Sequence, residues 1–172
     1  MSIPIFLRAG KVAVNKQATL VNDLAESVVL TNRKIAEEKD ISVGVALEDP
    51  GLLAFVDPVL MKTALVGVLE NAIKFSGKGA SVSLHGKDDG ENIVFEVADK
   101  GPGLAEDTLA AALEPFRQGD GSLQRRFEGM GLGLPLARKL AILHGGRLEV
   151  VSEIGKGTIV SFILPKGVVP GA

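Results

Sequence analysis

The 172-residue chain predicts an α/β domain, a two-layer sandwich of a mixed sheet covered on one face by helices. Three observations carry that prediction. Segments with a helical repeat of apolar residues and segments that alternate apolar with polar residues are interleaved along the chain. They follow one another as helix, strand, helix, strand, strand, long loop, helix, strand, strand, and helices stacked against one face of a single sheet satisfy that order. Composition agrees: 46% hydrophobic and 23% charged residues suit one domain with its own core.

The elements follow in order. From about Gln17 to Asp40, Leu20, Leu24, Val28 and Ile35 recur at helical spacing, which predicts one amphipathic helix. Ile41–Leu47 alternates and reads as a strand closed by the turn-forming Asp49-Pro50-Gly51. Asp57-Pro58 supplies an N-cap and a proline at the first helical position. Leu60, Ala64, Val68 and Ile73 then carry an apolar face to Phe75, and the helix stops at Ser76-Gly77-Lys78-Gly79. Ala80–His85 and Asn92–Ala98 alternate on either side of the polar stretch Gly86–Glu91, a hairpin signature. Asp99 opens an irregular stretch of about thirty residues with one short helical segment, Glu106–Leu113; a loop of that length in a compact domain reads as a lid, a binding loop or a disordered segment. Its span Ala105–Glu128 is expected to be mobile without ligand. Pro135 stands near the start of a helix, Leu136–His144, that ends at Gly145-Gly146. Leu148–Ser152 and Thr158–Leu164 are the last strands, around the turn Gly155-Lys156-Gly157. The domain is assigned to residues 17–168, with 1–16 a linker, an appended remnant or an extra strand.

Several functions are disfavoured before any motif is considered. Nineteen Lys and Arg against 21 Asp and Glu leave a net charge of -2, so no positive field exists to hold a nucleic acid. Without Trp or Tyr, stacking platforms for single strands are not expected. No Cys and two His exclude disulfides, thiolate metal sites and imidazole-rich zinc sites. No apolar run approaches the roughly 18 residues that span a bilayer, and the N-terminus lacks the features of a signal peptide. The domain is expected to be cytoplasmic and to make no membrane contact, whether or not a longer protein anchors it.

Three segments carry chemistry. Glu70-Asn71-Ala72-Ile73-Lys74-Phe75 ends the second predicted helix, where Asn71 and Lys74 share a face. An amide and an ammonium together suit an anion with its metal, or else form a solvated polar stripe. Asp99-Lys100-Gly101-Pro102-Gly103 follows directly on a strand. A carboxylate there accepts hydrogen bonds from an amino group while bare backbone approaches a flat ring, unless the segment is only a turn. Gly129-Met130-Gly131-Leu132-Gly133-Leu134-Pro135 leads into a helix, so backbone N–H groups and the positive helix end converge as a phosphate cradle. Its spacing is neither that of a P-loop nor that of the dinucleotide motif. In this order the three describe an adenine site, a metal site and a triphosphate site in one cleft.

Asn71 with Lys74 and Phe75 resembles the N box of sensor histidine kinases, Asp99–Gly103 their G1 box, Glu114-Pro115-Phe116 their F box and Gly129–Gly133 their G2 box. Over residues 18–166 the chain is similar to the ATP-binding catalytic domain of those kinases. They share a superfamily, and its Bergerat fold, with gyrase, a mismatch-repair ATPase and a heat-shock chaperone. The resemblance implies ATP and Mg²⁺ as ligands. It implies that Asp99 accepts a hydrogen bond from the adenine amino group, helped by Thr158 through water, and that Gly101 and Gly103 let the lid base lie against the ring. Asn71 would coordinate Mg²⁺, Lys74 would neutralise phosphate charge and Phe75 would pack near the base. The backbone of Gly129, Met130, Gly131, Leu132 and Gly133 would hold the phosphates. Arg125 and Arg126 are candidates for reaching the terminal phosphate, or else a solvated basic pair.

Two departures stand out. The family commonly has an Asn four residues before the metal-binding Asn, and gyrase-like ATPases have their water-activating Glu there; this chain has Gly67. Hydrolysis of the gyrase type therefore has no base. The usual Thr of the G2 box is Met130, at a contact made mainly by backbone. Neither His85 nor His144 is read as a phosphoacceptor, because both end structural elements. In the family that histidine lies on a separate helical dimerisation hairpin, with a response regulator downstream. The implied function is an ATP-binding module that presents the γ-phosphate to that hairpin, with no residue of this chain itself the phosphoacceptor. A regulatory pseudokinase, suggested by Gly67, and an anti-sigma-type serine kinase are the alternatives.

Overall fold

The computed structural model of the chain describes residues 13–113 and 134–166. Within them the order is β1 (Gln17–Leu20), α1 (Val21–Thr31), α2 (Arg33–Glu38), β2 (Ser42–Leu47), β3 (Leu53–Val56), α3 (Pro58–Phe75), β4 (Ser81–Asp88), β5 (Asn92–Asp99), α4 (Glu106–Leu113), α5 (Leu134–Leu143), β6 (Arg147–Glu153) and β7 (Gly157–Pro165). Five strands form a mixed sheet in the order β2-β4-β5-β7-β6, with β2 and β4 parallel and the other neighbours antiparallel. β1 and β3 form a separate antiparallel pair.

Strand alternation decides which face of the sheet is covered. On β4, Val82, Leu84 and Gly86 are buried while Ser81 and Ser83 face outward. Ile93, Phe95 and Val97 of β5 and Val160, Phe162 and Leu164 of β7 continue the inner face. α3 packs here with α1 and α5 beside it, so it is apolar around most of its circumference rather than along a narrow stripe. Phe95, Phe162, Met61, Leu65, Leu69 and Leu84 are all less than 2% exposed. Each such side chain contributes about 1.5–3 kcal/mol by burial. An exposed ion pair such as Arg147–Glu149, at 2.9 Å, contributes at most about 1 kcal/mol. The core, not the charged surface, holds the two layers together.

Both ends of α3 are tied down. Asp57 caps the N-terminus, its Oδ1 accepting from Val59 N (3.0 Å) and Leu60 N (3.1 Å), while Oδ2 accepts from Asn15 N (3.0 Å). His144, 1% exposed beyond the end of α5, joins the same node. Its Nδ1–H donates to Leu140 O (2.7 Å), which leaves Nε2 to accept from the Asp57 backbone N–H (3.0 Å). At the other end, Ser76 N and Oγ bond Ala72 O (3.1 and 2.7 Å). The ammonium of Lys39 donates to Ile73 O (3.1 Å) and to Lys74 O. A cation on the last carbonyls also complements the negative helix end.

Three expectations change. Gln17–Asp40 is not one helix: Gln17–Leu20 pairs with Leu53–Val56 as β1–β3, a partner too distant in sequence for local periodicity to show. The remaining helix breaks at Asn32, whose buried side chain donates to Val28 O (3.4 Å) and across to Val66 O on α3 (3.3 Å). β3 was not expected because Leu53-Ala54-Phe55-Val56 is apolar throughout and shows no alternation. The hairpin strand β4 runs on to Asp88, and the turn tightens to Asp89–Glu91, where Asp89 Oδ1 accepts from Glu91 N (3.1 Å) and Asn92 N (2.7 Å). Before β1, Asn15 joins the Asp57 node and Lys16 Nζ donates to His144 O (3.3 Å).

Burial is the first reason the His144 imidazole titrates below its ordinary value of 6.5; the bond to Leu140 raises it, Lys16 lowers it further and Asp57 raises it. The unfolded chain therefore takes up this proton before the folded one does. Stability is full above about pH 6.5 and falls as pH drops toward the folded value, by at most about 1.4 kcal/mol per pH unit. Urea denaturation at pH 7.5 and 5.5 should show this loss, and His144→Gln should reduce the difference between the two pH values.

Candidate functional site

The β5–β7 register sets Asp99 opposite Thr158, and α3 brings Asn71 and Phe75 to the same end of the sheet. With Pro102, Gly103 and Leu104 from the loop after β5 and Leu134 from α5, these residues line one cleft. Val68, Ala72, Val97 and Val160 make its walls apolar, and Asn71, Asp99 and Thr158 are the polar side chains that reach it. The sequence predicts that Asn71, Phe75, Asp99, Gly103 and Thr158 share one cleft, and the fold brings them together.

Asn71 is the most informative of these residues. It is 6% exposed, and among the described residues neither Nδ2 nor Oδ1 has a hydrogen-bond partner. Leaving such a group unpaired costs about 1–3 kcal/mol, which a core helix position would not ordinarily carry. The amide oxygen fits a hard cation, and no cluster of three or more His, Cys, Asp or Glu is found among the described residues. A Mg²⁺ ion here would use one protein ligand with ligand oxygens and water, the usual manner for this ion.

Asp99 is a half-buried carboxylate with fixed geometry. Its Oδ1 accepts from Gly101 N at 2.8 Å. Burial raises its pKa above the ordinary 3.8, partly offset by the backbone bonds from Gly101 and Thr158. Gly101 packs against the Phe75 carbonyl and so joins the loop to the end of α3. Gly103 has φ +73°, and a Cβ there would lie 2.1 Å from Glu153 O. Only glycine allows that approach of the lid base to the β6–β7 turn. Gly155 N donates to Pro102 O (2.9 Å) and Leu104 N to Ser152 Oγ (2.7 Å), which clamp the same segment.

Lys74 does not line the cleft. It is half exposed and paired with Glu70 at 3.1 Å, one helical turn back. Gly67, four residues before Asn71, has open space where a Cβ would stand, so packing does not force glycine there. Glu114, Pro115, Phe116, Arg125, Arg126, Gly129, Met130, Gly131, Leu132 and Gly133 lie outside the described residues, as does most of the lid. Sequence reasoning did not single out Lys39, Leu104 or Ser152. Each acts through one or two bonds to residues distant in sequence, so no local motif marks them.

A profile of the family described as histidine kinase-, DNA gyrase B- and HSP90-like ATPase matches residues 56–168, from the end of β3 beyond the end of β7. The chain belongs to that family. Its relatives include the sensor protein KdpD of Clostridium acetobutylicum, 29% identical over 157 residues, covering 91% of this chain and 17% of that protein. The circadian input-output histidine kinase CikA of Synechococcus elongatus is 30% identical over 162 residues, covering 93% and 22%. The solved structure of full-length ShkA in complex with AMPPNP matches with a TM-score of 0.78 and 29% identity, covering 96% of this chain and 35% of that one. The chain thus spans about a fifth of the length of these curated relatives. The predicted layer arrangement is the Bergerat fold of histidine kinase catalytic domains. Among the described residues, no helix is long and apolar enough to cross a membrane.

The raised Asp99 pKa has a consequence for stability. The folded state holds this proton more tightly than the unfolded state, so stability falls as pH rises through 3.8 to the folded value and stays reduced above it. Asp99→Asn, which keeps an acceptor for Gly101 N, should raise the urea midpoint at pH 7. Gly103→Ala should lower it by at least about 1–2 kcal/mol, from the left-handed backbone alone.

Proposed function

We propose that this chain is the ATP-binding catalytic module of a sensor histidine kinase. It holds MgATP in the cleft formed by Asn71, Phe75, Asp99 and Thr158, and presents the γ-phosphate to a histidine on a separate helical dimerisation hairpin. A response regulator is the next acceptor. The observation that carries this reading is the buried amide of Asn71, without a partner among the described residues, in one cleft with the constrained carboxylate of Asp99.

Each residue has a task within it. Asp99 accepts from the exocyclic amino group of the base, because its carboxylate can only accept and its other bonds hold it in place. Phe75, Val97 and Val160 enclose the flat ring and exclude water from it. Asn71 supplies a neutral oxygen to Mg²⁺, which when bound draws phosphate charge to one position. By the family resemblance Gly129–Gly133 hold the phosphates and Arg125 and Arg126 add positive charge to them, while Lys74 is paired with Glu70 outside the cleft lining. Phosphoryl transfer of this kind needs alignment and charge neutralisation more than covalent help from the protein. Gly67 gives α3 no carboxylate at the position of the gyrase-type base, and Glu70 is engaged by Lys74. The phosphoryl group is therefore directed to a partner histidine rather than to water.

Calorimetric titration with AMPPNP, with and without Mg²⁺, tests this assignment. The unaltered chain should bind, and Mg²⁺ should tighten binding. Asn71→Ala should lose the Mg²⁺-dependent increment, while Asp99→Asn should weaken binding about tenfold or more in both conditions. Equal affinity in all three proteins would refute the site. With a histidine-bearing hairpin fused upstream, ATP should yield acid-labile phosphohistidine.

A further inference from the structure

Ser152 lies on β6 directly opposite Thr158 on β7, behind the cleft rather than in its wall. Its hydroxyl is the meeting point of three groups. Leu104 N–H donates to Oγ at 2.7 Å, Gly157 O lies at 3.3 Å and Thr158 Oγ1 at 2.7 Å. A serine hydroxyl has one proton and two acceptor sites. The Leu104 amide fills one acceptor site. The Gly157 carbonyl can only accept, so it takes the Ser152 proton. Thr158 must then donate its own proton into the remaining site. The reverse assignment would leave the Gly157 carbonyl without this donor.

The consequence falls on the cleft. With its proton turned back toward Ser152, Thr158 has only lone pairs left to offer a ligand. Its register partner Asp99, engaged by Gly101 N–H, also offers only acceptors. We propose that Ser152 is a specificity-determining positioning residue: by holding the Thr158 proton it makes Thr158 and Asp99 adjacent acceptors, which select the amino edge of adenine over the carbonyl edge of guanine. With the base seated so that position 6 meets this pair, adenine presents N–H donors there and guanine an acceptor oxygen, which in the same pose would face two acceptors without a partner. This rests on the nucleotide reading above and adds a residue that sets its base preference. Ser152 also anchors the lid base through Leu104, an effect that bears on every nucleotide alike.

The ratio of GMPPNP to AMPPNP dissociation constants, measured with Mg²⁺ on the 172-residue chain, separates the two effects. Ser152→Ala frees the Thr158 hydroxyl to rotate and donate, so the preference for the adenine nucleotide should fall about three- to tenfold, whatever the common loss of affinity. Thr158→Val, which removes one acceptor, should lower the same ratio, and it decides the matter if Ser152→Ala does not fold. A ratio unchanged in Ser152→Ala, with both affinities reduced equally, would leave only the lid anchor and overturn the inference; so would an unchanged ratio in Thr158→Val. Asp99→Asn keeps the failures apart: AMPPNP bound by it as tightly as by the unaltered chain would overturn the nucleotide reading itself.

Discussion

Everything in the cleft depends on where α3 stands against the sheet, and α3 is held at both ends. An 18-residue helix is about 27 Å long and stiff, so fixing its termini fixes the height and rotation of every side chain between them. Asp57 and His144 fix the start, joining the N-cap to the end of α5 and to residues 15 and 16. Lys39, Ser76 and the packing of Gly101 on the Phe75 carbonyl fix the finish. Asn71 lies one turn before that finish. Its amide is therefore held toward the cleft by bonds it does not itself make.

The places where the fold departs from good local practice gather around that amide. A buried amide without a partner among the described residues, a carboxylate pushed up by burial, a left-handed residue packed onto a carbonyl and a glycine inside a long helix are each unfavourable for folding. The surrounding core is well packed and regular, and it can carry these costs because burial of the inner face contributes far more than any one of them removes. A domain optimised only for stability would have replaced Asn71 with Leu and Asp99 with Asn. Their presence in one concave, apolar-walled space is the physical signature of a site built for a ligand.

The family match and the cleft are independent lines that meet. The profile spans residues 56–168 and rests on sequence pattern, whereas the cleft rests on which atoms lack partners and which approach each other. The β6–β7 turn shows what geometry adds. Nothing in Ser152-Glu153-Ile154-Gly155 announces a role, yet three contacts from this segment clamp the loop that follows Asp99, and its one hydroxyl faces Thr158.

Sequence alone determined the features whose causes are local. The Asp57-Pro58 cap, the α3 span, the hairpin alternation, the Gly145 stop and the short helix Glu106–Leu113 follow from neighbours within a turn or a strand, and so do the motifs that placed Asn71, Phe75, Asp99 and Gly103 together. Tertiary structure decided what depends on partners far along the chain. β1 exists because Leu53–Val56 lies beside it, and the predicted long helix breaks because Asn32 reaches Val66. Ser152 has a role only because β6 and β7 pair in the register that sets it against Thr158. Local propensity is written in adjacent residues, whereas a hydrogen bond between distant ones is written only in the geometry that brings them within about 3 Å.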